Sequence, residues 1–302
     1  MHLSLTPPAL RVAADPPQRR RQHGVTCAST RDPASDHPEV TMTLPATPTV
    51  LSLATRSERE DRDRLRALAH EAAPRLADAD TETVMAWAAQ TFGARMAVTS
   101  SMAESVLPHL VSRHQPGVDV LFLDTGYHFE ETLQTRDRVA EALDITVADV
   151  RPQRSVAEQD AEFGPRLHDR DPGACCAMRK VEPLRRALAG YDAWVTGVRR
   201  AESPTRAMTP VVAFDESFGL IKINPLATWS DDEVRLYAEL YDLPSNPLLT
   251  QGYPSIGCGP CTRQVAPGED PRAGRWSGFA KTECGLHGGP DADRAEPEQE
   301  AS

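Results

Sequence analysis

Four of the chain's six cysteines fall into two pairs. Cys175 and Cys176 are adjacent in "GACCAMRK", whereas Cys258 and Cys261 enclose a Gly-Pro dipeptide in "SIGCGPCTRQ". Four thiolates together would suit zinc or an iron-sulfur cluster, because soft sulfur ligands select these metals over magnesium or calcium. The letters Cys-Gly-Pro-Cys also occur in thioredoxin-like redox sites, but those lie early in a chain, between a strand and a long helix. The late position in a Gly- and Pro-rich segment therefore favours metal ligands, with a redox pair and inert buried thiols as the alternatives.

The adjacent pair is poorly suited to a disulfide, because neighbouring cysteines cannot easily form an unstrained bridge with each other. The residues that follow, "AMRKVE", have the pattern of a first helical turn. The positive end of a helix dipole at this point would favour the thiolate forms of Cys175 and Cys176. Both observations favour a ligand role.

A fifth cysteine, Cys284, lies in "KTECGLHGG" near the C-terminus, between Lys281 and His287. Nearby cations favour a thiolate, and the glycines that follow give the backbone freedom, so this position suits a mobile nucleophile. A surface thiol on a frayed tail is the alternative. The sixth, Cys27, lies in the Pro- and Arg-rich N-terminal segment and is interpreted as incidental.

Basic residues lie close in sequence to these thiols or follow predicted strands. The planar guanidinium of arginine binds phosphate and sulfate at two points, which an acidic protein acting on an anion requires. Any single one of them could instead be a solvated surface charge. The loop "TSSMAES", with Ser100 and Ser101, adds hydroxyl and N–H groups, although it lacks the glycines of a Walker loop. The basic residues are Arg179, Lys180, Arg199, Arg200, Arg206, Arg263, Arg272 and Arg275.

Strands and helices alternate through the middle of the chain. Apolar runs predict strands at "RMAVTS", "VDVLFLDTG", "ITVADV", "DAWVTGV" and "GLIKINPLATW". Periods of three and four predict helices at "RLRALAHEAAPRLADA", "TETVMAWAAQTF", "ESVLPHLVSRH" with a kink near Pro108, "EETLQTRDRVAEALD", "VEPLRRALAG" and "DDEVRLYAELY". Ser230 and Glu233 form a capping box that opens the last of these. The alternation predicts an α/β fold with a doubly wound, mostly parallel sheet, whose ligands bind beyond the carboxyl ends of the strands.

Composition excludes several functional classes. A net charge of −11 argues against DNA or RNA as a partner, because a phosphate-backbone binder needs a basic face. No run approaches the roughly 20 apolar residues that span a membrane. Pro7, Pro8 and Arg11 interrupt the first apolar stretch, so a signal peptide is not expected. Six cysteines in 302 residues are too few for a secreted disulfide scaffold. The chain is therefore expected to be cytoplasmic.

The chain divides into four segments by composition. Residues 1–55 are rich in Pro, Thr, Ser and Arg, and residues 290–302 are mostly Asp, Glu, Ala and Pro, so both are predicted to be disordered. Residues 56–244 carry the α/β pattern. Residues 245–289 lose periodicity and are interpreted as a functional C-terminal arm. Met42 is an alternative start of translation within the first segment.

Taken together, these segments resemble the sulfonucleotide reductases, and most closely the iron-sulfur adenylyl-sulfate (APS) reductases of assimilatory sulfate reduction. The resemblance covers roughly residues 56–289 and includes several specific motifs in one order. They are "LDTGYHFEET", "CCAMRKVEPL", "TGVRRAESPTR", "IKINPLATW", "GYPSIGCGPCTR", "RAGRW" and "ECGLH".

The resemblance implies a fold of the adenine-nucleotide alpha-hydrolase type, with an arm that moves over the site. It implies that Cys175, Cys176, Cys258 and Cys261 hold a 4Fe-4S cluster and that Cys284 is the catalytic nucleophile. The residues implied to bind APS are Ser100, Ser101, Leu123, Asp124, Thr125, Gly126, Lys180, Arg206, Arg272, Arg275 and His287.

The implied reaction is the reduction of APS to sulfite and AMP through an S-sulfonate on Cys284, with reduced thioredoxin as the thiol donor. Relatives commonly self-associate, so a homo-oligomer is expected. One departure is Met102, which stands where family members often have a glycine in the nucleotide loop. The Ser-Gly-Gly-x-Asp-Ser motif of the ATP-cleaving relatives is absent, which argues against an adenylating tRNA-modifying enzyme.

Two rival functions stay open at this point. A reductase of the 3′-phosphorylated donor, PAPS, would share most of these motifs, and turnover of the two donors would separate them. A non-catalytic cluster or zinc protein that senses redox state would release no sulfite, and its zinc form would be colourless.

Overall fold

The computed structural model describes residues 50–287, with side chains from residue 58 onward. In this range helices flank a six-stranded sheet. The strands are β1 (Met96–Thr99), β2 (Val118–Leu123), β3 (Ile145–Val150), β4 (Ala193–Val195), β5 (Val212–Asp215) and β6 (Leu220–Ile223). The helices are α1 (Val50–Leu76), α2 (Thr81–Phe92), α3 (Val106–Ser112), α4 (Glu130–Ala142), α5 (Val156–Phe163), α6 (Leu167–Arg170), α7 (Pro172–Cys176), α8 (Glu182–Ala187) and α9 (Asp231–Leu240). Within residues 50–287, no helix combines the length and apolar character needed to cross a bilayer.

The sheet has the order β3-β2-β1-β4-β6-β5. All neighbouring strands are parallel except β5 and β6, which are antiparallel. The chain builds outward from β1 through β2 to β3 and then returns to β4 on the other side of β1. The winding direction therefore reverses between β1 and β4, and ligands bind such sheets at the carboxyl ends of the strands beside this reversal. The predicted doubly wound, mostly parallel α/β fold is confirmed.

The core lies on both faces of the central strands. Met96, Ala97 and Val98 in β1 and Trp194 and Val195 in β4 are at most 1% exposed. Strands of a parallel sheet that is covered on both faces consist of continuous apolar residues, so these short strands can be recognised in the sequence. This packed centre holds the loops after β1 and β4 in fixed positions.

The helix around Pro108 differs from its prediction. α3 begins at Val106, so Pro108 lies in its first turn, where the missing N–H has no intrahelical partner to lose. Before the helix, the backbone of Glu104 pairs instead with that of Ser245 in an isolated bridge. The prediction of a kinked helix through Pro108 is therefore wrong.

Four of the described elements, β5, α5, α6 and α7, lack a counterpart among the predicted ones. The edge strand β5 pairs only with β6. The helix α5 opens with a capping box, in which the Glu158 N–H donates to Ser155 Oγ at 3.2 Å and the Ser155 N–H donates to Glu158 Oε2 at 2.8 Å. The predicted capping box of Ser230 and Glu233 is confirmed at α9, with the corresponding bonds at 3.2 and 2.7 Å.

The first and last predicted segments are described only in part. α1 begins at Val50, ahead of the boundary predicted at Arg56. The rest of the predicted N-terminal extension, including Cys27, and the predicted acidic tail lie outside the described residues.

After α9 the chain crosses the carboxyl edge of the sheet in short turns. Two 3₁₀ turns, Pro247–Gln251 and Gly259–Cys261, and a bridge between Thr262 and Arg275 organise this arm. The end of the arm returns to the sheet, where Lys222 Nζ of β6 donates to His287 Nδ1 at 3.3 Å. The arm thus covers the edge where ligands of such a fold bind.

Candidate active site

A cavity of about 1130 Å³ opens at the carboxyl ends of β1 and β4. This volume is sufficient for a nucleotide-sized ligand. Its walls come from the loops after both strands, from α9 and from the C-terminal arm. The sequence-predicted site residues that line it are Ser100, Ser101, Leu123, Lys180, Arg206, Arg272, Arg275, Cys284 and His287.

The loop after β1 turns at Met102, whose φ is 56°. A non-glycine residue in this left-handed region costs about 1–3 kcal/mol. The Met102 side chain is fully buried, and this burial offsets the cost. The Met102 N–H donates to the hydroxyl of Ser100 at 3.2 Å. Ser100 therefore holds the turn as well as lining the cavity.

Two arginines of the arm bring positive charge to the cavity. Arg272 donates from Nη2 to the carbonyl of Thr282 at 2.8 Å, and its side chain is only 14% exposed. The guanidinium of Arg275 lies over the Trp276 ring, 4.6 Å from its centroid. Both cations are therefore fixed by the arm before any ligand arrives.

Lys180 lines both this cavity and a second, smaller one that contains the paired cysteines. Burial alone would lower the pKa of Lys180, but the sulfur atoms of Cys258, Cys284 and Cys176, when ionised, outweigh burial and raise the pKa above its usual value. The ammonium group therefore stays charged between the two groups of sulfur atoms.

Arg206 lines the cavity, but its hydrogen bonds go to carboxylates. Nε and Nη2 donate to the two carboxylate oxygens of Glu283 at 2.8 and 2.7 Å, and Nη1 donates to Glu202 at 2.5 Å. Glu283 directly precedes Cys284. The predicted anion ligand thus contacts the segment that carries the predicted nucleophile.

Cys284 is half-buried at the cavity wall. It is followed by Gly285, whose φ of 80° permits a turn that other residues rarely adopt. Beyond the turn, the ring of His287 reaches Lys222 of the sheet. The predicted nucleophile, its flanking His and the predicted cations are therefore brought together.

The four paired cysteines line the smaller cavity, together with Tyr127, His168 and Trp276 among others. Burial and the neighbouring thiols raise the pKa of Cys175 to about 12 and that of Cys261 to about 11. In the described part of the chain, no three His, Cys, Asp or Glu side chains stand close enough to share a single metal ion. The thiols of Cys175, Cys176 and Cys261 therefore resist ionisation unless a strong cationic centre binds them.

The local structure at the adjacent pair differs from its prediction. α7 begins at Pro172 with Asp171 as its N-cap, so Cys175 and Cys176 lie inside the helical segment and not before its first turn. The chain continues through a π-helical turn, Ala177–Val181. The prediction that a helix dipole favours thiolates here is wrong: burial, the largest effect, raises the pKa of both thiols.

The four residues of the "LDTG" loop do not share one cavity. Leu123 lines the large one, whereas Asp124 pairs with Arg151 at 3.1 Å. The hydroxyl of Thr125 lies 3.3 Å from Cys258 Sγ. A Cβ on Gly126 would lie 3.1 Å from Val156 and 3.2 Å from Arg179. Asp124, Thr125 and Gly126 thus do not line the nucleotide-sized cavity, and Thr125 contacts the cysteine pocket.

A model of the phosphoadenosine phosphosulfate reductase domain matches residues 94–264, more than half of the chain. The chain belongs to this family. The adenosine 5′-phosphosulfate reductase of Streptomyces coelicolor is 58% identical over 231 residues, which cover 76% of this chain and 98% of that protein. The protein of the same name from Mycolicibacterium smegmatis is 53% identical over 74% of this chain and 94% of its own length.

A solved structure gives the same family assignment. The phosphoadenylyl-sulfate (PAPS) reductase of Candida auris superposes with a TM-score of 0.55 and 30% sequence identity, over 65% of this chain and 96% of that one. The resemblance to sulfonucleotide reductases that the sequence motifs carry is therefore confirmed.

Three glutamates of this family member's site had no predicted role. Glu104 lines the cavity, and burial raises its pKa above the usual value. Glu202 and Glu283 bind Arg206. All three lie inside sequence motifs singled out for other residues, so a carboxylate within a cationic motif was the signal available. Glu202 lies four residues before its partner Arg206, a spacing that the sequence shows, whereas Glu283 and Arg206 are far apart in sequence and their pairing could not be predicted.

Proposed function

We propose that the chain reduces adenosine 5′-phosphosulfate (APS) to sulfite and AMP, with reduced thioredoxin as the thiol donor. One observation carries the proposal: Cys284 lines a nucleotide-sized cavity together with Lys180, Arg272 and Arg275. A thiol among fixed cations can act as a nucleophile toward an anionic group that repels other nucleophiles. The names of the relatives at 58% and 53% identity support APS as the substrate.

In the first step, the Cys284 thiolate attacks the sulfur of the bound phosphosulfate. A sulfur–sulfur bond forms, the bond from sulfur to the phosphate oxygen breaks, and AMP leaves with that electron pair. Two anions meet in this step, so Lys180, Arg272 and Arg275 offset their repulsion and stabilise the charge on the departing phosphate. Ser100, Ser101 and Leu123 hold the nucleoside part at the carboxyl ends of the strands.

In the second step, a thiolate of reduced thioredoxin attacks Cys284 Sγ and sulfite leaves. The second thioredoxin thiol then resolves the mixed disulfide, so the two electrons of the reduction come from the donor and Cys284 is regenerated. Such a donor is kept reduced in the cytoplasm, where we expect the protein to act. The predicted homo-oligomer stays a prediction.

We assign Cys175, Cys176, Cys258 and Cys261 to a 4Fe-4S cluster. Four cysteines in one buried pocket are the ligand set of such clusters. Burial raises the pKa values of Cys175 and Cys261 far above neutrality. Such thiols become ligands only when a strongly cationic centre displaces their protons, and iron ions provide this charge. The thiols need not converge on one atom, because each would bind a different iron. When bound, the cluster with its four thiolate ligands would carry net negative charge beside the Lys180 ammonium, and it would hold together the two segments that supply its ligands.

The decisive experiment is to mix the purified protein with ³⁵S-labelled APS in the absence of any thiol donor. The intact protein should gain one labelled sulfonate, mapped to Cys284, and addition of reduced thioredoxin should release labelled sulfite. A Cys284→Ser variant should gain no label. Label on that variant, or no label on the parent protein, would refute the mechanism. The same assay with labelled PAPS separates the two donors.

A further inference from the structure

The carboxylate of Glu283 is enclosed at the cavity wall, with its side chain only 11% exposed. It accepts two hydrogen bonds from Arg206, at 2.8 and 2.7 Å, and one from the hydroxyl of Thr205 at 3.2 Å. Arg272 Nη2 lies 3.4 Å from the same carboxylate. Glu283 is therefore held from three sides by a rigid loop and the arm.

All three guanidinium nitrogens of Arg206 are engaged by carboxylates. Its third nitrogen, Nη1, donates to Glu202 at 2.5 Å, and the Arg206 side chain is 12% exposed. A bidentate arginine–carboxylate pair shielded from water is geometrically specific, unlike an exposed ion pair. The loop after β4 thus presents Arg206, whose guanidinium pairs at two points with the carboxylate of Glu283.

This pair lies next to the reacting thiol in the chain. Glu283 precedes Cys284 directly, and Gly285 turns the chain immediately after it, with a φ of 80°. Fixing the Glu283 side chain therefore restricts the position of the Cys284 backbone. A reacting atom displaced by about 1 Å can lose on the order of 100-fold in rate.

We propose that Glu283 is a positioning residue: its pairing with Arg206 holds Cys284 over the cavity in the orientation for attack. Arg206 acts through Glu283, and the phosphosulfate is bound by Lys180, Arg272 and Arg275. The inference rests on the proposed function for the role of Cys284.

The charge state of Glu283 is compatible with this role. Burial raises its pKa, but the hydrogen bond from Arg206 and the charges of Arg206 and Arg272 outweigh burial and hold the pKa below the usual value. The carboxylate therefore stays ionised at neutral pH, and the pairing persists through the range in which thiols are assayed.

Three variants test the role of Glu283. Glu283→Gln keeps the shape and removes the charge, whereas Glu283→Asp keeps the charge on a shorter side chain. Glu269→Gln is the matched control, because Glu269 pairs with Arg263 in the same arm and lies outside the cavity lining. Folding of each variant is checked by thermal melting.

The rate of S-sulfonation in a single turnover, the KM for APS and the rate of Cys284 alkylation by N-ethylmaleimide are measured. For Glu283→Gln we expect S-sulfonation at least tenfold slower, a KM within twofold of the parent and faster alkylation, because the thiol is less confined. Glu283→Asp should recover part of the rate, and Glu269→Gln should match the parent protein.

Two outcomes would overturn the inference. One is a Glu283→Gln variant that matches the parent in both S-sulfonation and alkylation. The other is a KM that rises as much as the rate falls, which would place Glu283 and Arg206 in substrate binding. If the parent itself forms no S-sulfonate, the proposed function fails while the alkylation comparison still tests the pairing. Should Glu283→Gln fail to fold, Thr205→Ala removes one bond to the same carboxylate and should change both rates in the same directions.

Discussion

The ring of His287 stacks on the indole of Trp194, with centroids 5.9 Å apart and planes 13° apart. Lys222 Nζ lies 4.9 Å from the centre of the same indole and donates to His287 Nδ1 at 3.3 Å. A ring nitrogen that accepts from an ammonium group cannot carry a proton. The last described turn of the tail is thus docked on a central strand through a neutral imidazole.

This docking should weaken in acid. Burial, followed by the positive charges of Lys222, Arg206, Arg272 and Lys180, holds the pKa of His287 well below its usual 6.5. An unfolded or undocked His287 takes up a proton below pH 6.5, whereas the docked ring does not. The docked state therefore loses stability as pH falls through 6.5, by about 1.4 kcal/mol per pH unit until the folded pKa is reached.

Denaturant unfolding at pH 7.5 and pH 5.5 measures this loss. Because other groups also titrate, the loss of stability in the parent is compared with the loss in a His287→Asn variant, whose side chain cannot take up a proton in this range. The parent should lose about 1.4 kcal/mol more stability than the variant over this interval. Equal losses would contradict the neutral docked ring, as would an imidazole NMR titration with an ordinary pKa.

Much of the fold could be predicted because its signals are local. β1, β2 and β4 are apolar runs between helical periods, and the capping box of Ser230 and Glu233 marks the start of α9. β5 gives a weaker signal, because an edge strand buries fewer side chains: only Val212 of its four residues is buried. Pro108 misled the prediction, since the boundary of α3 depends on the distant pairing of Glu104 with Ser245.

The site could be predicted only as far as residue types and loop positions determine it. Cysteine pairs and cations on loops after parallel strands must meet at one edge of the sheet, so Cys284 and Lys180 could be expected near the same cavity. The direction of each side chain within a loop is not determined in this way. Thr125 contacts Cys258 instead of the cavity, and Arg206 binds Glu283, because both contacts depend on how distant segments pack.

The assignment of the cluster predicts a coloured, iron-containing protein. Protein purified without oxygen should contain about four iron atoms per chain and absorb visible light. Cys258→Ser should lose most of the iron and the colour, because one ligand of four is replaced by a hard oxygen. Iron analysis and the visible spectrum measure both. Zinc in the parent protein, or full iron in the variant, would contradict the assignment.

Gly126→Ala should destabilise the cysteine pocket. Gly126 has a φ of 74°, and an added Cβ would lie 3.1 Å from Val156 Cγ2 and 3.2 Å from Arg179 Nη2. Arg179 donates to the carbonyl of Thr125, so its displacement disturbs the residue that contacts Cys258. We expect a loss of about 1–3 kcal/mol in the free energy of unfolding, from strain and crowding together.

The matched control for this substitution is Gly190→Ala. A Cβ on Gly190 meets nothing within 4 Å, and the residue has no positive φ, so its stability should change by less than about 1 kcal/mol. Denaturant unfolding of both variants, in protein with its native metal content, gives the comparison. Equal stability of the two variants would show that the loop tolerates a side chain at Gly126.

Gly257→Ala should impair substrate binding without a comparable loss of stability. A Cβ on Gly257 would lie 2.6 Å from Cζ and 2.9 Å from Nε of Arg275. The atoms it meets are the end of a flexible side chain, so the guanidinium can move away while the backbone stays in place. If Arg275 binds the phosphosulfate, this movement removes a charge-assisted contact, and the KM for APS should rise about tenfold.

Arg275→Ala should raise the KM by a similar factor, and the double variant should be no worse than Arg275→Ala alone, because the two changes act through the same group. Steady-state kinetics of the three variants with reduced thioredoxin tests this, and additive effects in the double variant would show that Gly257 acts on the site by another route.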